Sequence, residues 1–122
     1  MEWLGWIAQV VVAMGIFNVW LLRFNQSTAY RGGDATNMRE EFAAYGLPVW
    51  AMYVVGGLKL TLAVLLLVGL WPGAKAVVLP AGLGMTALMV GAVAMHVKAG
   101  DPPKRALPAA AMLGLSLVAA FL

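Results

Sequence analysis

The chain has 122 residues, 63% of them hydrophobic and 11% charged, with a formal net charge of +3 and no cysteine. Soluble domains carry roughly 45–50% apolar and about 25% charged residues, so a chain this short has more apolar surface than a water-facing fold can bury, and the surplus is expected to face lipid. The missing cysteines exclude disulfides, thiolate nucleophiles and thiol redox relays, and the few cations are not interleaved with aromatics as a nucleic-acid surface requires.

Taken in order, the elements predict an all-α fold: one integral membrane domain over residues 1–122, a four-helix bundle with a short amphipathic helix between spans one and two. Residues 3–24 form the first span, an apolar run of crossing length interrupted by Gln9, Asn18 and Arg23. It is read as a retained span, because Met1-Glu2-Trp3 lacks the basic start of a signal peptide and no small-x-small cleavage site follows. Tyr30 to Pro48 then carries five of the thirteen Asp, Glu, Lys and Arg residues. Within it Gly32-Gly33 signals a turn and Asn37 with Glu40 imitates a capping box. Met38, Phe42 and Tyr45 recur at helical spacing, which gives an amphipathic helix over about 34–46 that lies against the bundle or the headgroups.

The second span is expected over 49–71, opened by Pro48 and closed by Pro72-Gly73, with Lys59 near its middle. The third runs over 75–97 and ends near His96. A polar hairpin, Lys98 to Arg105, follows, where Asp101-Pro102-Pro103 stops the helix, and the fourth span covers 106–122. Four spans put both termini on one side. Arg23, Arg31, Arg39, Lys98, Lys104 and Arg105 fall in the loops after spans one and three, so that side is expected to be cytoplasmic and both termini outside. Trp3, Trp6, Trp71 and Phe121 suggest one interfacial belt, and Trp20, Phe24, Tyr45 and Trp50 the other. Small-xxx-small pairs such as Gly57/Thr61, Gly82/Thr86, Ala87/Gly91 and Ala110/Gly114 suggest close helix packing.

Lys59 is the sharpest anomaly, because a Lys near mid-span costs about 2.5–3.5 kcal/mol on insertion scales and no span carries an acidic partner. Two readings are open: an amine that contacts a ligand or exchanges a proton, or a stem that reaches an interface with its ammonium solvated. His96, the single histidine, is either a titrating or donating ligand contact or an interfacial residue beside the last carbonyls of its helix. One histidine without cysteine is a poor ligand set, so no metal is expected. Asn18 and Tyr53 fall at a depth similar to His96. With Arg23, Asn25, Tyr30, Arg31 and the Glu40-Glu41 pair they are candidates to line a polar mouth under the amphipathic helix that holds a molecule with an apolar tail and an oxygen-rich head, and the other reading is a network that merely joins helices. No phosphate loop, metalloprotease motif or nucleophile elbow is present.

The run RGGDATNMREEFAAYGLP leading into GGLKLTLAVLLLVGLW, together with MHVKAGDPPKRALPA after the third span, resembles the DoxX-like family of small four-span bacterial membrane proteins. The family often has an acidic residue in the second span near the position of Lys59, from which this chain departs. The resemblance implies a multi-pass protein of a bacterial inner membrane, in a family whose name derives from a subunit associated with a thiosulfate:quinone oxidoreductase and whose relatives are linked to redox complexes or to assembly of membrane proteins. The functional expectation is an accessory or binding protein, without catalytic activity of its own, for a lipid-like or quinone-like molecule in a cytoplasmic-side cavity. Alternatives are an assembly module packing against other membrane subunits and a small proton-linked transporter. Membrane lipids, a homo-oligomer or a larger membrane complex are the expected partners.

Overall fold

The computed structural model describes residues 2–28 and 30–122. Four long helices make the bundle: α1 (Glu2–Phe17, prolonged by one wider turn, Asn18–Leu22), α3 (Val49–Val68), α4 (Val78–Lys98, entered through a short 3-10 turn, Lys75–Val77) and α5 (Pro103–Phe121). A fifth, short helix, α2 (Met38–Ala44), lies across one end of the bundle against α3. There is no strand among the described residues. All four long helices have the length and hydropathy needed to cross a membrane.

Side-by-side packing runs α1 to α3, α3 to α4, α4 to α5 and α5 back to α1, so α5 lies diagonally across from α3. Buried positions on α3 fall at Met52, Gly56, Lys59, Ala63 and Leu66, a four-three alternation that keeps one stripe facing inward. Val12, Ala13, Met52, Ala63, Leu66 and Met85 form the innermost layer. Because lipid is as apolar as a leucine side chain, this packing depends on close approach and on polar contacts between helices. Gln9 supplies one such contact, donating through Nε2 to the carbonyl of Leu66 at 2.8 Å and joining α1 to α3.

At the end opposite α2 the helices approach closely. A Cβ at Gly5 would fall 2.7 Å from the carbonyl carbon of Leu122, and one at Gly82 would fall 2.8 Å from the Cβ of Ala120. Of the small-residue pairs singled out from the sequence, only the Gly82 pair makes such a contact. Gly57, Gly91 and Gly114 have open space where a side chain would stand. The aromatic belts also need correction: Trp3, Trp6, Trp50, Trp71 and Phe121 are exposed, but Trp20 and Tyr45 are buried. The physical reason lies in their neighbours. Trp20 stacks edge-on against Phe42 and tilts against Phe24, and Tyr45 packs on Phe42 and His96, so both serve to seat α2 on the bundle.

Two helix ends set up the site. After α2, Gly46 at φ 78° lets Leu47 N–H return to the carbonyl of Phe42 at 3.0 Å, which turns the chain sharply into α3. After α4, Gly100 at φ 73° lets Asp101 N–H return to the carbonyl of His96 at 3.0 Å, so the Asp101 side chain folds back over the last turn of its own preceding helix. Pro102-Pro103 then starts α5, three residues before the point expected from hydropathy, because proline suits a first helical turn.

Candidate functional site

Beneath α2 is a cavity of about 770 Å³. Its walls come from all four long helices. Ile16, Asn18 and Trp20 contribute from α1, Val55 and Lys59 from α3, Leu88, Gly91, Ala92 and Met95 from α4, and Pro108, Ala109 and Met112 from α5. Met38 and Phe42 of α2 form part of the roof. The small residues leave the space and the methionines give it adjustable walls. Ala87 and Gly91 expose part of the lining along α4, and Asn18, Val19 and Pro108 are likewise cavity-lining and exposed, so the cavity also opens sideways between the lid-side halves of α1 and α5.

Lys59 stands on the wall opposite that opening and is 9% exposed. Its ammonium lies 5.6 Å from the centre of the Trp20 ring and makes no hydrogen bond or ion pair among the described residues. A cation over an aromatic face is worth about 0.5–2 kcal/mol, which offsets only part of the cost of placing a Lys at mid-span. Trp20 reaches this position from the wider turn of α1, where Arg23 N–H bonds to the carbonyl of Asn18 at 2.9 Å, one residue further back than in an α-helix. Gly56 makes room for it: a Cβ there would fall 2.5 Å from the indole ring.

The roof is a continuous polar chain. Arg31, 5% exposed, donates to Glu41 at 2.8 Å and to the carbonyls of Arg23, Phe24 and Gln26. Glu41 also accepts from Gly32 N–H at 3.0 Å and from the Tyr45 hydroxyl at 2.9 Å. The Tyr45 oxygen is 3.4 Å from His96 Nε2, and His96 Nδ1 is 2.8 Å from Asp101. Asp101 in turn accepts from Gly33 N–H at 2.9 Å and from Arg105 at 3.1 Å, while Lys98 donates to the carbonyl of Tyr45 at 3.0 Å. Arg105 also donates to the carbonyl of Gly33. The segment around α2 is thus fastened to the α4–α5 connection by opposite charges and backbone hydrogen bonds.

These contacts shift the groups that carry them. Burial, and then the negative charge of Glu41, push the Tyr45 phenol well above the ordinary range, so it stays a hydroxyl and a donor. Burial alone would raise the Asp101 carboxyl, but the Gly33 N–H, His96 and Arg105 together outweigh it and hold Asp101 below the usual carboxylate value.

Of the residues singled out from the sequence, Lys59, Asn18, His96, Arg31 and Glu41 line this cavity. Tyr53 does not. It is 61% exposed on the outer side of α3, where its hydroxyl lies 3.5 Å from Arg39. Glu40, placed in the same mouth by sequence, turns outward to Thr36. Trp20, Tyr45, Asp101 and Arg105 were not singled out as site residues. The signal for Tyr45 was available in its helical spacing with Met38 and Phe42, whereas Asp101 reads in sequence only as a helix stop.

No curated protein and no solved structure matches the chain. The family model of the DoxX-like family matches residues 5–120, almost the whole length and every helix of the bundle. This multi-pass membrane protein therefore belongs to the DoxX-like family.

Proposed function

We propose that the chain is an accessory or binding protein that holds a lipid-like or quinone-like molecule in the cavity beneath α2. The observation that carries this reading is Lys59, a nearly buried amine that lines a largely apolar space and forms no ion pair among the described residues. A Lys that only anchored a helix would extend its ammonium to an interface, whereas this one ends against Trp20 inside the bundle. Asn18 offers a further polar group along the same walls, while both ring nitrogens of His96 are engaged by Asp101 and Tyr45. Binding, not catalysis, fits the walls: Arg31, Glu41 and Arg105 are already engaged in the roof, and Arg23 is held by Asn18 on the exposed side. Native mass spectrometry of the protein released from membranes is expected to show a retained small molecule in the wild type that Lys59→Met loses. Identical, unliganded masses for both proteins would remove the reading.

In this reading the lid end, which carries Arg23, Arg31, Arg39, Lys98, Lys104 and Arg105, faces the cytoplasm of a bacterial inner membrane, and both termini lie outside. With no native cysteine, single-cysteine labelling tests this without background. A membrane-impermeant maleimide is expected to label Lys75→Cys in intact cells and Lys104→Cys only after permeabilisation. The opposite pattern would invert the orientation.

A further inference from the structure

We infer that the ligand is an acidic single-chain amphiphile, a carboxylate or phosphate monoester head on one acyl chain, which enters between α1 and α5 and is seated head-first against Lys59. The inference rests on the binding reading above and adds the charge, the entry route and the orientation.

The charge follows from counting the wall. Arg23, Arg31, Lys59 and Arg105 line the cavity against a single lining carboxylate, Glu41. Glu41 is held by Arg31, and Asp101, which supports the roof, is held by Arg105 and His96. The cavity therefore has a surplus of positive charge, carried by two lining cations that form no ion pair among the described residues: Arg23, exposed and held by Asn18, and Lys59, which is buried. An anionic oxygen supplies a counter-charge to Lys59 and accepts from an ammonium that has three donors to give. A cationic head would add to the surplus, and a neutral head would accept hydrogen bonds without balancing it.

The route follows from topology. The side opening at Asn18, Val19 and Pro108 lies between α1 and α5, while Lys59 stands on α3, diagonally across the bundle. Between them the lining is Ala92, Ala109 and Met112, which is small or flexible and apolar. A head moving inward along this path meets the ammonium at the far wall, and its chain trails back to the opening, where the exposed Leu22 and Leu107 continue into lipid. The opposite end is shut by the contacts at Gly5 and Gly82, and Gly15 is closed by Met112, whose Cε lies 2.9 Å from where a Cβ would stand.

The test uses the full chain in detergent micelles and native mass spectrometry with oleate, an alkyl phosphate, oleyl alcohol and a decyl-substituted benzoquinone as probes. Oleate or the alkyl phosphate is expected to bind about tenfold or more tighter than the alcohol, the scale of one hydrogen-bonded charge contact. Lys59→Met should erase that preference and Lys59→Arg should restore part of it, with thermal unfolding confirming that both variants fold. Ala109→Trp, placed in the path, should lower retention of acid and alcohol alike. Equal binding of oleate, alkyl phosphate and alcohol, or an acid preference that survives Lys59→Met, would overturn the inference. Quinone bound through Lys59 with both acids rejected would overturn it while leaving the binding reading intact, and retention of no probe would remove both.

Discussion

Asp101→Ala is expected to loosen the roof and lower stability by about 2–3 kcal/mol, the scale of losing hydrogen bonds to a charged group. The carboxylate is 3% exposed and serves three donors at once: Gly33 N–H, His96 and Arg105. Its removal leaves Gly33 N–H and His96 Nδ1 without an acceptor and leaves Arg105 only the Gly33 carbonyl. The value is lower than for a deeply buried ion pair because the Arg105 side chain is 31% exposed and water can replace part of what it loses. Hydrogen exchange should localise the effect, with faster exchange over residues 31–46 and little change in the middle of α3. Unchanged protection of that segment would show that Asp101 does not hold the lid.

The pH dependence has a definite sign. Asp101 is held below its ordinary carboxylate value in the folded chain, so its contribution is fully present above the unfolded pKa of about 4 and is lost as pH falls through the lower folded value. Tyr45 is raised, so its contribution is fully present below about pH 10 and is lost as pH rises through the folded value. Wild-type protection of residues 31–46 is therefore expected to hold through neutral pH and to weaken only in stronger acid or stronger alkali. Asp101→Ala lacks the acid-side transition.

The spans were legible because hydropathy and length decide whether a helix can cross a bilayer, and both are local properties of sequence. Lys59 was legible for the same reason, as a local violation of the rule that governs its surroundings. The start of α2 was legible too: Asn37 accepts from Glu40 N–H at 2.8 Å as its capping pattern implied. Glu40 itself reaches back to Thr36, one residue beyond the capping-box partner. Tyr53 was placed by depth alone, and depth is only half of a helix position. It is six residues from Lys59, which at about 100° per residue puts it about 120° around the helix, off the buried stripe. What sequence did not disclose was the pairing across distance. Asp101 meets Gly33 across 68 positions, and no periodicity links a helix stop to a glycine turn. The wider turn that carries Trp20 inward is likewise unmarked in NVWLL, where every residue suits an ordinary helix.

Arg31→Met is expected to cost about 3–5 kcal/mol, the penalty for stranding one member of a buried ion pair, and Arg31→Met combined with Glu41→Gln is expected to cost less than the two single losses added together. The side chains of Arg31 and Glu41 are 4% and 12% exposed, so each was taken out of water in exchange for the other. Removing the guanidinium leaves the Glu41 carboxylate buried with only Gly32 N–H and the Tyr45 hydroxyl, and it also releases three backbone carbonyls at the end of α1. In Glu41→Gln an amide oxygen still accepts from those two donors while the charge is gone, so the single variant strands Arg31 and the double variant strands no ion. Denaturation in detergent and SDS mixtures measures all four proteins of the cycle. Additive losses would mean that Arg31 acts through its backbone carbonyls alone, and the roof would then be a backbone clasp with Glu41 a bystander. A cycle in which the double variant recovers 1 kcal/mol or more, roughly the scale expected of directly coupled groups, makes the ion pair the joint between the α1 terminus and α2.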